Sequence, residues 1–86
     1  MKVRVPTPLR SYTGQQANVV ADGDTLSAVL DDLDRRYPGM RFRIVDEQDQ
    51  LRQHMSIFVR GERTRDLALR LDDVDEVVIM QALSGG

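Results

Sequence analysis

The 86-residue chain has no cysteine and no tryptophan, and carries only two phenylalanines, two tyrosines and three prolines. Without cysteine there is no disulfide, no thiolate metal site and no cysteine nucleophile, so any sulfur handled by this chain arrives from outside. No apolar run approaches the ~20 residues of a membrane span, and Met1-Lys2-Val3-Arg4-Val5 lacks the apolar core of a signal peptide. A cytoplasmic protein is therefore expected. The 12 basic and 14 acidic residues are interspersed, for a net charge of −2. No basic run marks a nucleic-acid surface, so neither nucleic acid nor membrane is expected as a partner.

What is present fits one small soluble domain. Hydrophobic residues make up 41% and charged residues 30%, too apolar a mixture for a disordered chain. Residues 2–6 alternate, with Val3 and Val5 on one face and Lys2 and Arg4 on the other, and Pro6 and Pro8 end this strand. Residues 9–16 read as a loop, and Asn18 to Ala21 as a second strand that closes a hairpin. Asp22-Gly23-Asp24-Thr25 then signals a helix start, with Asp24 or Thr25 as cap. Leu26, Val29, Leu30, Leu33 and Tyr37 form one apolar stripe, Asp31, Asp32, Asp34, Arg35 and Arg36 fill the opposite face, and Pro38-Gly39 stops the helix.

Residues 40–53 read as irregular, anchored by Phe42, Ile44, Val45 and Leu51. Met55, Ile57 and Val59 alternate with Ser56, Phe58 and Arg60 in a further strand that turns at Gly61. A short strand or turn is expected within Thr64–Leu71, a turn at Asp72-Asp73-Val74-Asp75, and a last strand from Val77 to Gln81. Alternation turns Val77 and Ile79 inward and Phe58, Val78 and Met80 outward. Apolar side chains on an outer sheet face mark a surface for a partner, or single exposed residues of no consequence. The expected core is Val3, Val5, Val19, Leu26, Val29, Leu30, Leu33, Ile57, Val59, Leu67, Val77 and Ile79.

No set of side chains suits catalysis. His54 is the single histidine and has no nucleophile or carboxylate at a recognisable spacing, as general-base work would need. Asp72, Asp73, Asp75 and Glu76 lack the glycine and ligand spacing of a calcium loop, so a solvated turn is the simpler reading and no metal site is expected. The chemistry concentrates at the end, Ala82-Leu83-Ser84-Gly85-Gly86. Two terminal glycines arise by chance on the order of once in two hundred chains, and a frayed terminus is the plain alternative. Glycines make a slender tail able to enter a narrow channel. The α-carboxylate it presents has a pKa of about 3.5 and is ionised at neutral pH.

The sequence resembles the ubiquitin-like sulfur carriers of the ThiS/MoaD family over nearly its whole length. The resemblance is carried by Val3-Arg4-Val5-Pro6, Leu9-Arg10 and Tyr12-Thr13-Gly14, by Gly23-Asp24-Thr25-Leu26 and Tyr37-Pro38-Gly39 around the helix, by His54 to Glu62, and by Asp75-Glu76-Val77-Val78-Ile79 leading into the Gly-Gly tail. The extended first loop looks nearest the cysteine-biosynthesis branch. Val74 stands where the family usually has a turn glycine, and Gln81 where it usually has a proline.

The resemblance implies an α+β fold of the β-grasp (ubiquitin-like) type, a mixed sheet packed on one main helix, with residues 1–81 as the domain and residues 82–86 as a flexible tail. It implies a protein co-substrate rather than an enzyme, a monomer when free. A ubiquitin-activating-type adenylyltransferase, using ATP and magnesium, would convert the Gly86 carboxylate to an acyl-adenylate. A sulfur donor would displace AMP and leave a thiocarboxylate, and a sulfur-accepting biosynthetic enzyme would take the sulfur. The working residues are then Gly86 and Gly85, with Phe58, Val78, Met80, Leu83 and Ser84 meeting partners and no cofactor held by the chain itself. The acceptor stays open among cysteine, a thiamin thiazole, molybdopterin, a siderophore thioacid and a modified tRNA base, the first loop favouring cysteine. A protein modifier that joins Gly86 to lysines would use the same tail and activation step. An interaction domain with an inert tail predicts no effect of deleting Gly85 and Gly86.

Overall fold

The computed structural model describes residues 1–82. In chain order the elements are strand β1 (Lys2–Arg4), a 3-10 helix (Thr7–Thr13), β2 (Asn18–Val20), helix α1 (Leu26–Arg36), a short helix α2 (Met40–Ile44), β3 (Met55–Val59), β4 (Glu62–Thr64) and β5 (Glu76–Gln81). The strands form one sheet in the order β2-β1-β5-β3-β4. β1 and β5 run parallel, with Val3 opposite Val77. The other pairs are antiparallel, β2 beside β1, and β3 beside both β5 and β4. A mixed sheet with the main helix between its hairpins is the β-grasp arrangement that the sequence led us to expect.

The alternating pattern sets the core. Val3, Val19, Ile57, Val77 and Ile79 are buried, together with Leu26, Val29, Leu30 and Leu33 of α1, in a single apolar cluster. Leu67 is only partly buried at its edge, while Val5, Leu9, Ala21, Met40, Ile44, Val45, Leu51, Met55, Val59 and Leu71 complete it. The loop expected at residues 9–16 is largely a 3-10 helix, since Pro6 and Pro8 preset its backbone and Leu9 and Thr13 turn inward. Residues 40–53, expected to be irregular, begin with α2, which buries Met40 and Ile44 while leaving Phe42 exposed.

Thr64–Leu71 holds the expected turn, at Leu67–Ala68, and also supplies carbonyls to the helix. An α-helix begins with backbone donors that lack partners within it. Leu26 N–H donates to the Leu69 carbonyl (3.0 Å) and Ser27 N–H to that of Leu67 (2.8 Å). Thr25 Oγ1 accepts from Ala28 N–H at 3.2 Å as the N-cap. β4 therefore lies earlier, at Glu62–Thr64, joined to β3 by Arg60-Gly61, both with positive φ (53° and 78°), as a tight two-residue hairpin requires.

Asp32 departs from the solvent face assigned to it and is buried. Its carboxylate accepts from Asp22 N–H (2.9 Å), Arg35 Nη2 (2.7 Å) and Arg36 Nε (2.9 Å), tying the end of the first hairpin to α1. Three donors explain how a carboxylate tolerates that position. Gly23 sits against the same helix. A Cβ there would lie 2.6 Å from the Val29 nitrogen, so only glycine lets the chain pass.

Two expectations follow. Leu30→Ala, at the centre of the buried stripe, is expected to destabilise the domain by about 2–5 kcal/mol in chemical denaturation; a loss below about 0.5 kcal/mol would contradict the assigned helix face. The Arg35 hydrogen bond, followed by the Asp22 amide, lowers the Asp32 pKa to about 2. A carboxyl whose pKa is lower in the folded state than in the unfolded one (about 3.9) stabilises the fold above that unfolded value, and this contribution is lost as pH falls. Thermal melts should show wild-type stability declining between about pH 4 and pH 2 more steeply than that of Asp32→Asn.

Candidate functional site: the root of the C-terminal tail and the outer sheet face

Glu76–Gln81 forms the third of five strands, hydrogen-bonded on both flanks, and runs directly toward the C-terminus. The ladder with β3 continues to its last pair, Met55 opposite Gln81, and Ala82 N–H then donates to the His54 carbonyl at 2.8 Å. The chain is thus held by backbone bonds up to the point where the tail departs. Leu83, Ser84, Gly85 and Gly86, all named from the sequence as site residues, lie outside the described residues. Four residues reach at most about 14 Å when extended.

The structure brings together Phe58, Val78 and Met80, the three outward apolar residues named from the sequence. Phe58 lies directly opposite Val78, and Met80 lies opposite Ser56, one outward position further along β5. Phe58 and Val78 are half-buried, and Met80 is 52% exposed. Residues 40–53 do not cover this face, because Met40, Ile44, Val45 and Leu51 are buried in the same core as α1. Arginines border the apolar strip. Arg4 on β1 is in register with Val78, and Arg63 on β4 with Phe58.

A groove of about 550 Å³ extends this strip beside β5, lined by Val78 and Met80 on one side and by Arg4, Pro6, Pro8 and Arg10 on the other. Arg10 is positioned by its Nε, which donates to the Val5 carbonyl at 3.1 Å. Across Gln81 lies a second hollow of about 270 Å³, lined by Phe42, Arg43, Arg52 and His54. The Arg52 guanidinium stacks 4.7 Å from the Phe42 ring centroid while its Nε donates to the Phe42 carbonyl at 2.8 Å. Phe42 is therefore a surface residue and not the core anchor expected of it. Sequence reasoning missed these two grooves. The outward phase of Arg4 was legible from its strand, but the approach of Arg43 and Arg52 to Gln81 depends on the path of residues 40–54.

The two departures from the usual family pattern are accommodated locally. The left-handed position in the turn before β5 is Asp73 (φ 61°), a residue type that tolerates it, and Val74 N–H closes the turn on the Leu71 carbonyl at 3.2 Å. Gln81 keeps the backbone donor that a proline would remove at the last rung of the sheet. Among the described residues no three His, Cys, Asp or Glu side chains are placed to hold a metal ion, and no helix is long and apolar enough to cross a membrane.

The model of the ThiS family matches residues 3–86, through the terminal glycine. The sulfur carrier protein CysO of Mycobacterium tuberculosis is 40% identical over 98% of this chain and 96% of its own length. A chain of the Amycolatopsis orientalis BexX/CysO complex superposes with a TM-score of 0.89 at 33% identity, covering 99% of this chain and 98% of that one. The crystal structure of M. tuberculosis CysO gives 0.87 at 39% identity, covering 95% and 98%. The small archaeal modifier protein 1 of Methanosarcina acetivorans gives 0.80 at 28% identity, covering 99% and 94%.

Met80→Asp places a charge on the exposed outer face, where it meets solvent. It is expected to change stability by no more than about 0.5 kcal/mol in urea unfolding; a loss of about 2 kcal/mol or more would show that this face is covered.

Proposed function

The chain belongs to the ThiS family, and on that premise we infer that it is a sulfur carrier protein: a small protein co-substrate whose Gly86 carboxylate is the group that is activated, sulfurated and discharged. The observation that carries this reading is the similarity to sulfur carriers along almost the full length, with the family match running through Gly86.

The chemistry follows from what a carboxylate can do. An ionised carboxylate is a poor electrophile. A carboxylate oxygen of Gly86 attacks the α-phosphorus of ATP and pyrophosphate leaves, so that the acyl carbon acquires AMP as a leaving group. A sulfur nucleophile, hydrosulfide or its equivalent on a donor, then attacks the acyl carbon, AMP departs, and a thiocarboxylate remains. ATP and magnesium are bound by the activating adenylyltransferase. This chain contributes the tail, the strand that holds its root, and the surface that docks. Phe58, Val78 and Met80, with Leu83 and Ser84 beyond the root, meet the partners in this scheme. That a matched chain comes from a complex with a second protein, BexX, supports such a docking role. The likeness to CysO carriers, with the first-loop resemblance, favours an acceptor that leads to cysteine.

The likeness to a small archaeal modifier protein gives a second reading, in which activated Gly86 acylates a lysine. Intact mass separates the two. Incubation with ATP, magnesium, a sulfide source and the activating enzyme is expected to raise the mass by one oxygen-for-sulfur exchange. A variant ending at Gly85 should show none, and Phe58→Asp should react at least about tenfold more slowly while melting as the wild type does. No exchange in wild type, with lysine conjugates forming instead, would favour the modifier reading.

A further inference from the structure

Charge is distributed unevenly along β5. At its start, the cavity beside Phe58 and Val78 is lined by Asp73, Asp75 and Glu76 along with Arg60. At its end, the two grooves on either side of Gln81 are lined by Arg4 and Arg10 on one side and by Arg43, Arg52 and His54 on the other, with no acidic residue in either lining. The chain as a whole has a net charge of −2, so this cationic end is a local segregation and not a reflection of composition.

The pairing pattern sharpens the contrast. Lys2, Arg35, Arg36, Arg41 and Arg70 each form an ion pair with a carboxylate. Seven arginines form no ion pair with a carboxylate of the described residues, and four of the seven, Arg4, Arg10, Arg43 and Arg52, line these two grooves, the others being Arg60, Arg63 and Arg65; Arg10 and Arg52 donate to backbone carbonyls, which fixes them without neutralising them. Four guanidinium groups with unmatched charge thus flank Gln81, and Phe42, exposed at 58%, adds an aromatic face already stacked under Arg52.

We propose that this cationic collar is a docking surface of its own, complementary to carboxylates lining the mouth of the channel through which the activating adenylyltransferase admits the tail. The inference rests on the carrier reading above. The distance to the reacting group favours a protein carboxylate over nucleotide phosphate as the occupant. Gly86 is five residues beyond Gln81, a reach of at most about 18 Å, so while the terminal carboxylate sits at ATP the collar meets the outer rim of the channel. Arginine forks suit carboxylates there, and unlike charges around an entrance speed encounter more than they hold the complex.

The test is the steady-state rate of pyrophosphate release by the adenylyltransferase of the same organism, at saturating ATP and with a sulfide source that discharges the acyl-adenylate and releases AMP, as a function of carrier concentration and salt. Arg4 and Arg43 lie on opposite sides of the tail root and make no side-chain hydrogen bond or ion pair among the described residues, so their replacement leaves the fold's own bonds in place. The double variant Arg4→Glu/Arg43→Glu is expected to raise KM about tenfold or more at low salt with kcat changed less than about twofold. The difference should shrink near 1 M salt, where the screening length is about 3 Å. Arg4→Lys/Arg43→Lys should keep KM within about threefold, because charge and not shape is required. An unchanged KM in the glutamate variant, with wild type turned over normally, would overturn the collar. An increase that persists undiminished at high salt would also overturn it. Absence of any turnover with wild type would instead overturn the carrier reading.

Discussion

The parallel pairing of β1 with β5 is the constraint on which the rest of the structure depends. It brings the first and last strands side by side in the middle of the sheet, with Val3 against Val77 and the Lys2 amide donating to the Asp75 carbonyl at 3.0 Å. Two parallel strands cannot be joined by a tight turn, so the intervening chain has to cross over the sheet. α1 makes that crossing and covers one face with its apolar stripe. The same pairing puts the last strand at the centre, bonded on both sides. The tail therefore leaves from the best-supported part of the sheet and not from an edge.

That placement assigns opposite tasks to alternate residues of β5. Val77 and Ile79 are buried and hold the domain together, while Val78 and Met80 face outward beside Phe58. A one-residue slip in register would exchange the two sets, exposing the core and burying the outer apolar strip. The hydrophobic core thus fixes the orientation of the surface proposed to meet a partner, and the Met55–Gln81 and His54–Ala82 rungs carry that order to the point where the tail begins. In this account the domain is a rigid holder for a reactive end. In the proposed cycle the covalent chemistry takes place at the Gly86 carboxylate, with the nucleotide, the metal and the sulfur coming from the enzymes that act on it.

Much of this was legible from periodicity. Strands with strict alternation, such as Met55–Val59, and the stripe Leu26, Val29, Leu30, Leu33 are local signals, and the inward and outward residues they imply are those found. Elements fixed by distant partners were not. The segment 65–71 has strand-like residues, but its carbonyls at Leu67 and Leu69 are used by the first turn of α1, a need that no local pattern expresses. Asp32 reads as one more acid on a charged helix face until Asp22, ten residues earlier, donates to it. Phe42 reads as an anchor by its type, yet α2 turns Met40 and Ile44 inward and leaves it outside. The outer apolar strip could be placed from strand phase alone, whereas the cationic grooves needed the path of residues 40–54 across the end of the sheet.

The most direct test of the central claim is the chemical state of Gly86 in the protein isolated from its native cells. Lysates would be treated with an alkylating reagent that traps thioacids, and the peptide running from Leu71 to Gly86 that trypsin releases would be analysed by mass. The account predicts that a fraction of this peptide carries an alkylated thiocarboxylate at Gly86, and that the fraction rises when the accepting step is blocked by sulfur-metabolite sufficiency. Recovery of Gly86 only as a free carboxylate or joined to lysine, under conditions in which a thiocarboxylate standard is trapped efficiently, would contradict it.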